Sequence, residues 1–326
     1  MIIREGANKI REGAVIPREG ASRIGGGARE IREGGTGGTP VDPARLEAHV
    51  RALAETFSPR DEVHPENLDR AAAYISQQFQ EVGGEVEDQP FEMHGTVYRN
   101  VIAHFGPRTR ERIVVGAHYD AAGPFPGADD NASGVAGLIE LAGLLAKSPL
   151  RTQVELVAFT LEEPPRFASG AMGSAVHAAS LKKQGVPVRA MIALEMIGYF
   201  TDAPGSQQYP LPVLRLFYPS RGNFIGVVGK LGQGALVRRV KKAMRRTAPL
   251  PVESISAPPS LPGVDLSDHR NYWAVGYPAV MITDTAFYRN DNYHTAADRP
   301  ETLDYRRMAG VVEGVYGAVV ELARYP

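Results

Sequence analysis

Apolar runs of strand length alternate with longer segments of helical period along most of this chain, and that alternation restricts its fold more than any other feature. The runs lie at 97–105, 112–117, 154–161, 191–197 and 278–283. Between and after them, 132–147, 172–184, 233–247 and 305–324 carry apolar residues at helical spacing. Two further helices precede the first strand. Asp42-Pro43 combines an N-cap with proline at the first helical position, ahead of Leu46, Val50 and Leu53. From Pro65, the residues Leu68, Ala72, Ile75, Phe79 and Val82 keep a helical period until Gly83-Gly84 stops it. Helices placed between successive strands imply a largely parallel sheet covered on both faces, an α/β fold.

Length and composition set the outer limits. With 326 residues and 43% hydrophobic content, the chain can build one large α/β domain or two small ones. The formal charge is −1. Its one dense basic run, Arg238-Arg239-Val240-Lys241-Lys242-Ala243-Met244-Arg245-Arg246, has the spacing of a helix with a solvated cationic face, so no nucleic-acid partner is expected. No stretch reaches the roughly 20 uninterrupted apolar residues of a membrane span. The best candidate, 132–146, contains Glu140 and several glycines and reads as a buried core helix. No apolar h-region with a small-residue cleavage site is visible near the N-terminus. The chain has no cysteine, which excludes thiolate ligands, thiol nucleophiles and disulfides and leaves His and carboxylate as the groups for any metal.

Residues 1–40 repeat a loose unit, from Ile3-Arg4-Glu5-Gly6-Ala7 to Ile31-Arg32-Glu33-Gly34-Gly35. Balanced charge, much glycine and few large apolar residues cannot offset the entropy of ordering, so this segment reads as a disordered or mistranslated leader, with 41–326 as a single domain. Segment 201–221 is long and rich in Pro, Gly and aromatic residues, a composition expected of a rim or lid over a site.

Five signals carry chemistry. The run Ile113-Val114-Val115-Gly116-Ala117 leads straight into His118-Tyr119-Asp120. Sites of open α/β sheets gather at the carboxyl ends of strands, and residues two apart on extended chain face the same way. His118 can then bind a metal while Asp120 accepts from its other ring nitrogen. Taken alone, the pair is as readily a surface or capping feature. About ten residues on, Gly127-Ala128-Asp129-Asp130-Asn131-Ala132-Ser133-Gly134 opens a buried helix; this is an acidic turn with an N-cap unless something gathers its carboxylates. The third strand ends in Glu162-Glu163 followed by two prolines, and adjacent glutamates repel unless a positive group lies near. Glu195 stands within an apolar strand, where an unpaired charge is costly and an ion pair is the alternative to a metal. His294 follows the last strand in Asp291-Asn292-Tyr293-His294-Thr295. Two histidines and three carboxylates, each at the end of or within a predicted strand or in the loop after one, suit zinc, with manganese or cobalt as alternatives.

These motifs, together with Ser267-Asp268-His269, occur in the order found in the zinc aminopeptidases of Vibrio and Streptomyces type, peptidase family M28, and residues 43–326 resemble that family. The resemblance implies a three-layer α/β/α sandwich with a mixed, largely parallel central sheet, of zinc-exopeptidase type. It also implies two divalent metal ions, zinc first among them. Asp130 would bridge them, with Glu163 and His294 completing one site and His118 and Glu195 the other. Glu162 would be the general base activating a metal-bridging water, Asp120 the partner of His118, and Tyr293 the hydrogen-bond donor to the developing oxyanion. A cis peptide bond after Asp130 is part of the same pattern. The chain departs from the pattern in having Glu195 where most members have Asp, and Val264 where others place a tyrosine three residues before Ser-Asp-His.

The implied activity is hydrolysis of the N-terminal peptide bond of peptides with a free N-terminus, in an exported or periplasmic setting. Two alternatives stand beside it. One is a glutaminyl-cyclase-like transferase with a single zinc, and the other a catalytically inactive protease-like binding domain. The Asp-Asp-x-Ala-Ser-Gly loop and the five metal-competent positions favour the peptidase.

Overall fold

The computed structural model describes residues 40–324, so the leader expected over 1–40 lies outside the described residues except for its last position. Eight strands form one sheet: β1 (Glu85–Met93), β2 (Thr96–Phe105), β3 (Arg112–His118), β4 (Gln153–Phe159), β5 (Val188–Glu195), β6 (Ile225–Lys230), β7 (Val252–Ala257) and β8 (Ala279–Thr283). Their order is β1-β2-β4-β3-β5-β8-β6-β7. The central four, β4, β3, β5 and β8, run parallel. Antiparallel β2 and β6 flank them, and β1 and β7 form the edges. The mixed, largely parallel sheet expected from the sequence is borne out.

Helices cover both faces because the central strands are buried on both. β3, β4 and β5 are buried almost throughout, as near-continuous apolar sequence requires. Successive residues of β5 enter opposite layers: Ala190, Ile192 and Leu194 join one core, while Met191 and Ala193 join the other. The larger core packs against α1 (Pro43–Arg51), α2 (Pro65–Glu81), α3 (Gly134–Leu145), α5 (Gly234–Thr247) and α7 (Tyr305–Leu322). The smaller packs against α4 (Gly173–Lys183) and α6 (His269–Ala274). Asp42 caps α1 as its sequence indicates, its carboxylate accepting from Ala44 N at 2.9 Å. α3 is buried on nearly every side, which accounts for a helix so apolar being confined to the core. No helix among the described residues is long and apolar enough to cross a membrane.

Because β4, β3, β5 and β8 are parallel, their carboxyl ends share one edge of the sheet. That edge receives the ends of β3 and β5, the turn after β4 and the loop after β8. The segment 201–221 is irregular apart from a single 3₁₀ turn, Pro212–Leu216, and contributes to a cleft beside this edge.

Candidate metal centre

Local backbone aims the side chains. His118 is the last residue of β3 and Glu195 the last of β5, while Glu162 and Glu163 follow β4. Asp130 lies in the loop between β3 and α3, and His294 in the loop after β8. Three non-glycine residues here adopt left-handed backbone: Leu161 just before the glutamate pair (φ 60°), Met196 just after Glu195 (φ 50°) and His294 itself (φ 53°). Such conformations cost about 1–3 kcal/mol and persist where surrounding contacts enforce them, typically at functional sites. The Asp130–Asn131 peptide is cis, as the family pattern implied.

The five expected ligands converge. His118 Nε2 lies 3.4 Å from Asp130 Oδ1 and 3.4 Å from Glu195 Oε2. On the other side of the same carboxylate, His294 Nε2 lies 3.0 Å from Asp130 Oδ2 and 3.1 Å from Glu163 Oε2. His118, Asp130 and Glu195 form one cluster of donors within 4.8 Å of one another, and Asp130, Glu163 and His294 form another; a third joins His118, Glu162 and Glu163. Donors about 2.0–2.2 Å from a zinc ion stand about 3.3–3.5 Å apart across a tetrahedron, close to these separations. His118 Nε2, His294 Nε2 and Glu163 Oε1 are buried and make no hydrogen bond. Such atoms are costly unless a cation takes them, so the donor set fits a divalent metal.

Neighbouring groups hold the expected ligands in place, and His118 Nδ1 faces both the backbone carbonyl and the carboxylate of Asp120. His118 Nδ1 donates to the backbone carbonyl of Asp120 at 3.2 Å, which leaves Nε2 with its lone pair free for a metal. The Asp120 carboxylate is 3.5 Å from that ring nitrogen, and its two oxygens accept from Glu162 N (3.1 Å) and Glu163 N (3.0 Å). Since β3 and β4 run parallel side by side, the residue just past β3 sits against the turn just past β4. Asp120 therefore orients the glutamate pair as well as flanking the histidine.

Several supporting residues gave little or no individual signal in the sequence. Ser267 Oγ donates to Glu195 Oε2 at 2.7 Å. Asn131 ties its loop to the end of β5, donating to Leu194 O (2.8 Å) and accepting from Met196 N (3.1 Å). Asp298 accepts from both Asp129 N and Asp130 N. Asp129 Oδ1 accepts from Gly198 N and Oδ2 from Asn290. Asn131 and Ser267 at least sit inside recognisable motifs, whereas Asp298 and Asn290 carry no pattern of their own.

Electrostatics fit the same chemistry. Burial pushes Glu163 up to about 7, aided by Asp130, and raises Glu162 well above the usual carboxylate range. Burial works against a charged His294, but Glu163 and Asp130 lift it to about 10. Asp130, flanked by two imidazoles, is held below its ordinary value despite burial. A bound cation reverses this balance, keeping the carboxylates ionised and the histidines neutral.

Residues 100–319, well over half of the chain, match the sequence profile of peptidase family M28. The chain belongs to that family. It is 50% identical over 283 residues to the uncharacterized protein YfbL of Escherichia coli K12, covering 84% of this chain and 87% of that protein. Leucine aminopeptidase 1 of Ajellomyces capsulatus (strain G186AR) is 26% identical over 238 residues, which is 69% of this chain and 56% of that protein. Among solved structures, BSAP, a zinc aminopeptidase from Bacillus subtilis, shares the fold with a TM-score of 0.69 at 14% identity, covering 86% of this chain and 95% of that one.

In this M28 chain an apolar cleft opens beside the candidate metal centre, with Glu195 and Tyr293 on its wall. Tyr209, Leu214, Tyr218, Phe224, Phe287 and Tyr288 supply much of its apolar surface. Three of these come from segment 201–221, which thus forms a rim as expected. Tyr293 stacks on His294, ring centroids 3.8 Å apart and planes 17° from parallel. Val264, which stands where the family pattern noted above has tyrosine, also lines the cleft. Its side chain has no hydrogen-bond donor, its N–H donates to Leu261 O at 3.1 Å, and its carbonyl accepts from His269 Nε2 at 2.8 Å.

Proposed function

We propose that this M28 peptidase is a dinuclear metallo-aminopeptidase, removing the first residue of peptides whose N-terminus is free. The observation that carries this is Asp130, whose two oxygens face His118 on one side and His294 on the other. Glu195 belongs with His118 and Glu163 with His294, giving two sites that share one carboxylate, with zinc as the metal of choice for such N and O donors. Two ions so held supply Lewis acidity, lowering the pKa of water and polarising the scissile carbonyl.

Glu162 is the general base. It is buried next to the ligands, 3.9 Å from His118 Nε2, and its raised proton affinity suits it to take a proton from the attacking water and deliver it to the leaving amine. Tyr293 supplies the hydrogen bond to the oxyanion, a role that Val264 cannot fill. The apolar cleft receives the side chain of the first residue, which favours large apolar or aromatic residues over glycine and charged ones.

Aminoacyl-anilides assayed with and without chelator test the activity. Hydrolysis that chelation abolishes and added zinc restores is expected, fastest for leucine or phenylalanine at the first position. Cyclisation of N-terminal glutamine without anilide hydrolysis would instead favour the transferase, and binding without turnover the inactive domain. Glu162→Gln is expected to lower turnover about 10²–10⁴-fold with metal content unchanged. Glu163→Gln removes a ligand and should lower both. If Glu162→Gln is the variant that sheds metal, the two roles are exchanged.

A further inference from the structure

Arg60 is fully buried and stands between α1 and α2, outside the residues that match the family profile. Buried arginines ordinarily pair with carboxylates, but this one is ringed by backbone carbonyls. Its Nε donates to Tyr119 O at 2.8 Å, Nη1 to Pro126 O at 2.9 Å and to Leu53 O, and Nη2 to Gly127 O at 3.0 Å. Its own carbonyl accepts from Ala121 N at 2.7 Å. Tyr119 follows His118 directly, and Gly127 lies three residues before Asp130. One planar guanidinium therefore clasps both ends of the connection that separates two of the proposed ligands.

That connection has little slack. Gly127 holds left-handed backbone (φ 57°), and a Cβ there would lie 2.3 Å from Asp130 O. The backbones of Gly127 and Asp130 thus approach too closely for any side chain at 127, and Gly127 O also accepts from Ala132 N at 3.1 Å. Arg60 remains charged at neutral pH although burial lowers it to about 10, with Asp120, Asp298, Asp130 and Glu163 as the surrounding negative charges.

We propose that Arg60 is a positioning residue for the metal centre, fixing the spacing of His118 and Asp130 by binding the carbonyls of Tyr119, Pro126 and Gly127. The fork geometry, and not charge alone, does this. A lysine has three donors on a point charge and cannot reach four carbonyls arranged around a plane. The inference rests on His118 and Asp130 being metal ligands.

The test uses Co²⁺ alone as probe. Full-length wild type, Arg60→Lys, Arg60→Met and His118→Ala are stripped with chelator and titrated with Co²⁺, following the visible absorption bands. Thermal unfolding is recorded in chelator alongside. Loss of an outer partner of a metal site typically weakens affinity about 10–100-fold. Arg60→Lys is expected to fold, to bind Co²⁺ more weakly by that factor and to show shifted bands. Arg60 variants that fold and bind Co²⁺ with wild-type affinity and spectrum overturn the proposal. So do variants that lose only melting temperature, and so does failure of both to fold, since Arg60 then serves the fold rather than the centre. His118→Ala binding Co²⁺ as tightly as wild type would sink the ligand assignment instead, and the proposal with it.

Discussion

Ser267 and Glu195 show how a single hydroxyl can matter at this centre. Glu195 is nearly buried, and Ser267 donates to Oε2, the oxygen that also faces His118 at 3.4 Å. A glutamate has one more rotatable bond than the aspartate of the family pattern that the sequence resembles, so its carboxylate needs an anchor to hold one geometry. Ser267→Ala leaves that oxygen without its donor and frees the extra torsion. Metal affinity is expected to fall about 10–100-fold, as for other outer partners of ligands. Turnover at saturating metal should change far less. Isothermal titration with zinc beside rates in excess zinc measures both, and unchanged affinity would remove the anchoring role. Asp120 teaches the complementary lesson about legibility. Its place beside His118 was readable from period-two spacing, yet its bonds to the backbone of Glu162 and Glu163 were not, because they cross between strands adjacent in space and separated in sequence.

At the scale of elements, burial decided what could be read. β2, β3, β4, β5 and β8 appear close to the expected positions because each is largely buried and carries a run of apolar residues of strand length. β1 was missed: it is an edge strand whose pattern, Glu85–Met93, is mostly exposed or half-buried and interrupted by Pro90. β7 is the opposite edge, and β6 is broken by two glycines. α6 has six residues, too few for a helical period to register. The candidate site was easier to locate than the edge strands, since the residues expected as ligands lie at or after the ends of those strands that could be read. Gly134 joins the two scales. It opens α3 where the helix presses on β5, and a Cβ there would lie 2.7 Å from Leu194 O and 2.3 Å from Asn131 Oδ1. Neither neighbour can yield, one being backbone and the other fixed by its bonds to Leu194 and Met196. Gly134→Ala is expected to cost about 1–3 kcal/mol by overpacking. It should also weaken metal binding, because the strain falls on the residue next to Glu195. Denaturant unfolding and zinc titration check the pair, and a loss of stability with intact metal binding would place the strain elsewhere.

Across the whole molecule, the second helical layer hides two histidines whose titration links acidity to folding. His177 lies between α4 and the sheet, Nδ1 2.6 Å from the Tyr272 hydroxyl and Nε2 3.7 Å from Glu155 Oε2. Burial, with Arg112 and His104 nearby, lowers it to about 3, and burial likewise lowers His269 to about 4. An unfolded histidine titrates near about 6.5. Below that value the unfolded chain takes up a proton that folded His177 refuses, so its contribution to stability is complete above about pH 6.5 and is lost as pH falls toward its folded value, by at most about 1.4 kcal/mol per pH unit. The buried carboxyls act in the opposite sense, Asp268 and Asp298 being raised to about 7 by burial. Protonating them favours the native state as pH falls, so a bare stability profile mixes both trends. Comparing wild type with His177→Asn, whose amide oxygen can still accept from Tyr272, cancels the carboxyl part. The wild type should be the more stable at pH 8, and its advantage should shrink by about 2–3 kcal/mol between pH 6.5 and 4.5. Urea unfolding of both proteins across that range measures the difference, and one that stays constant with pH would mean that His177 titrates alike in the folded and unfolded chain.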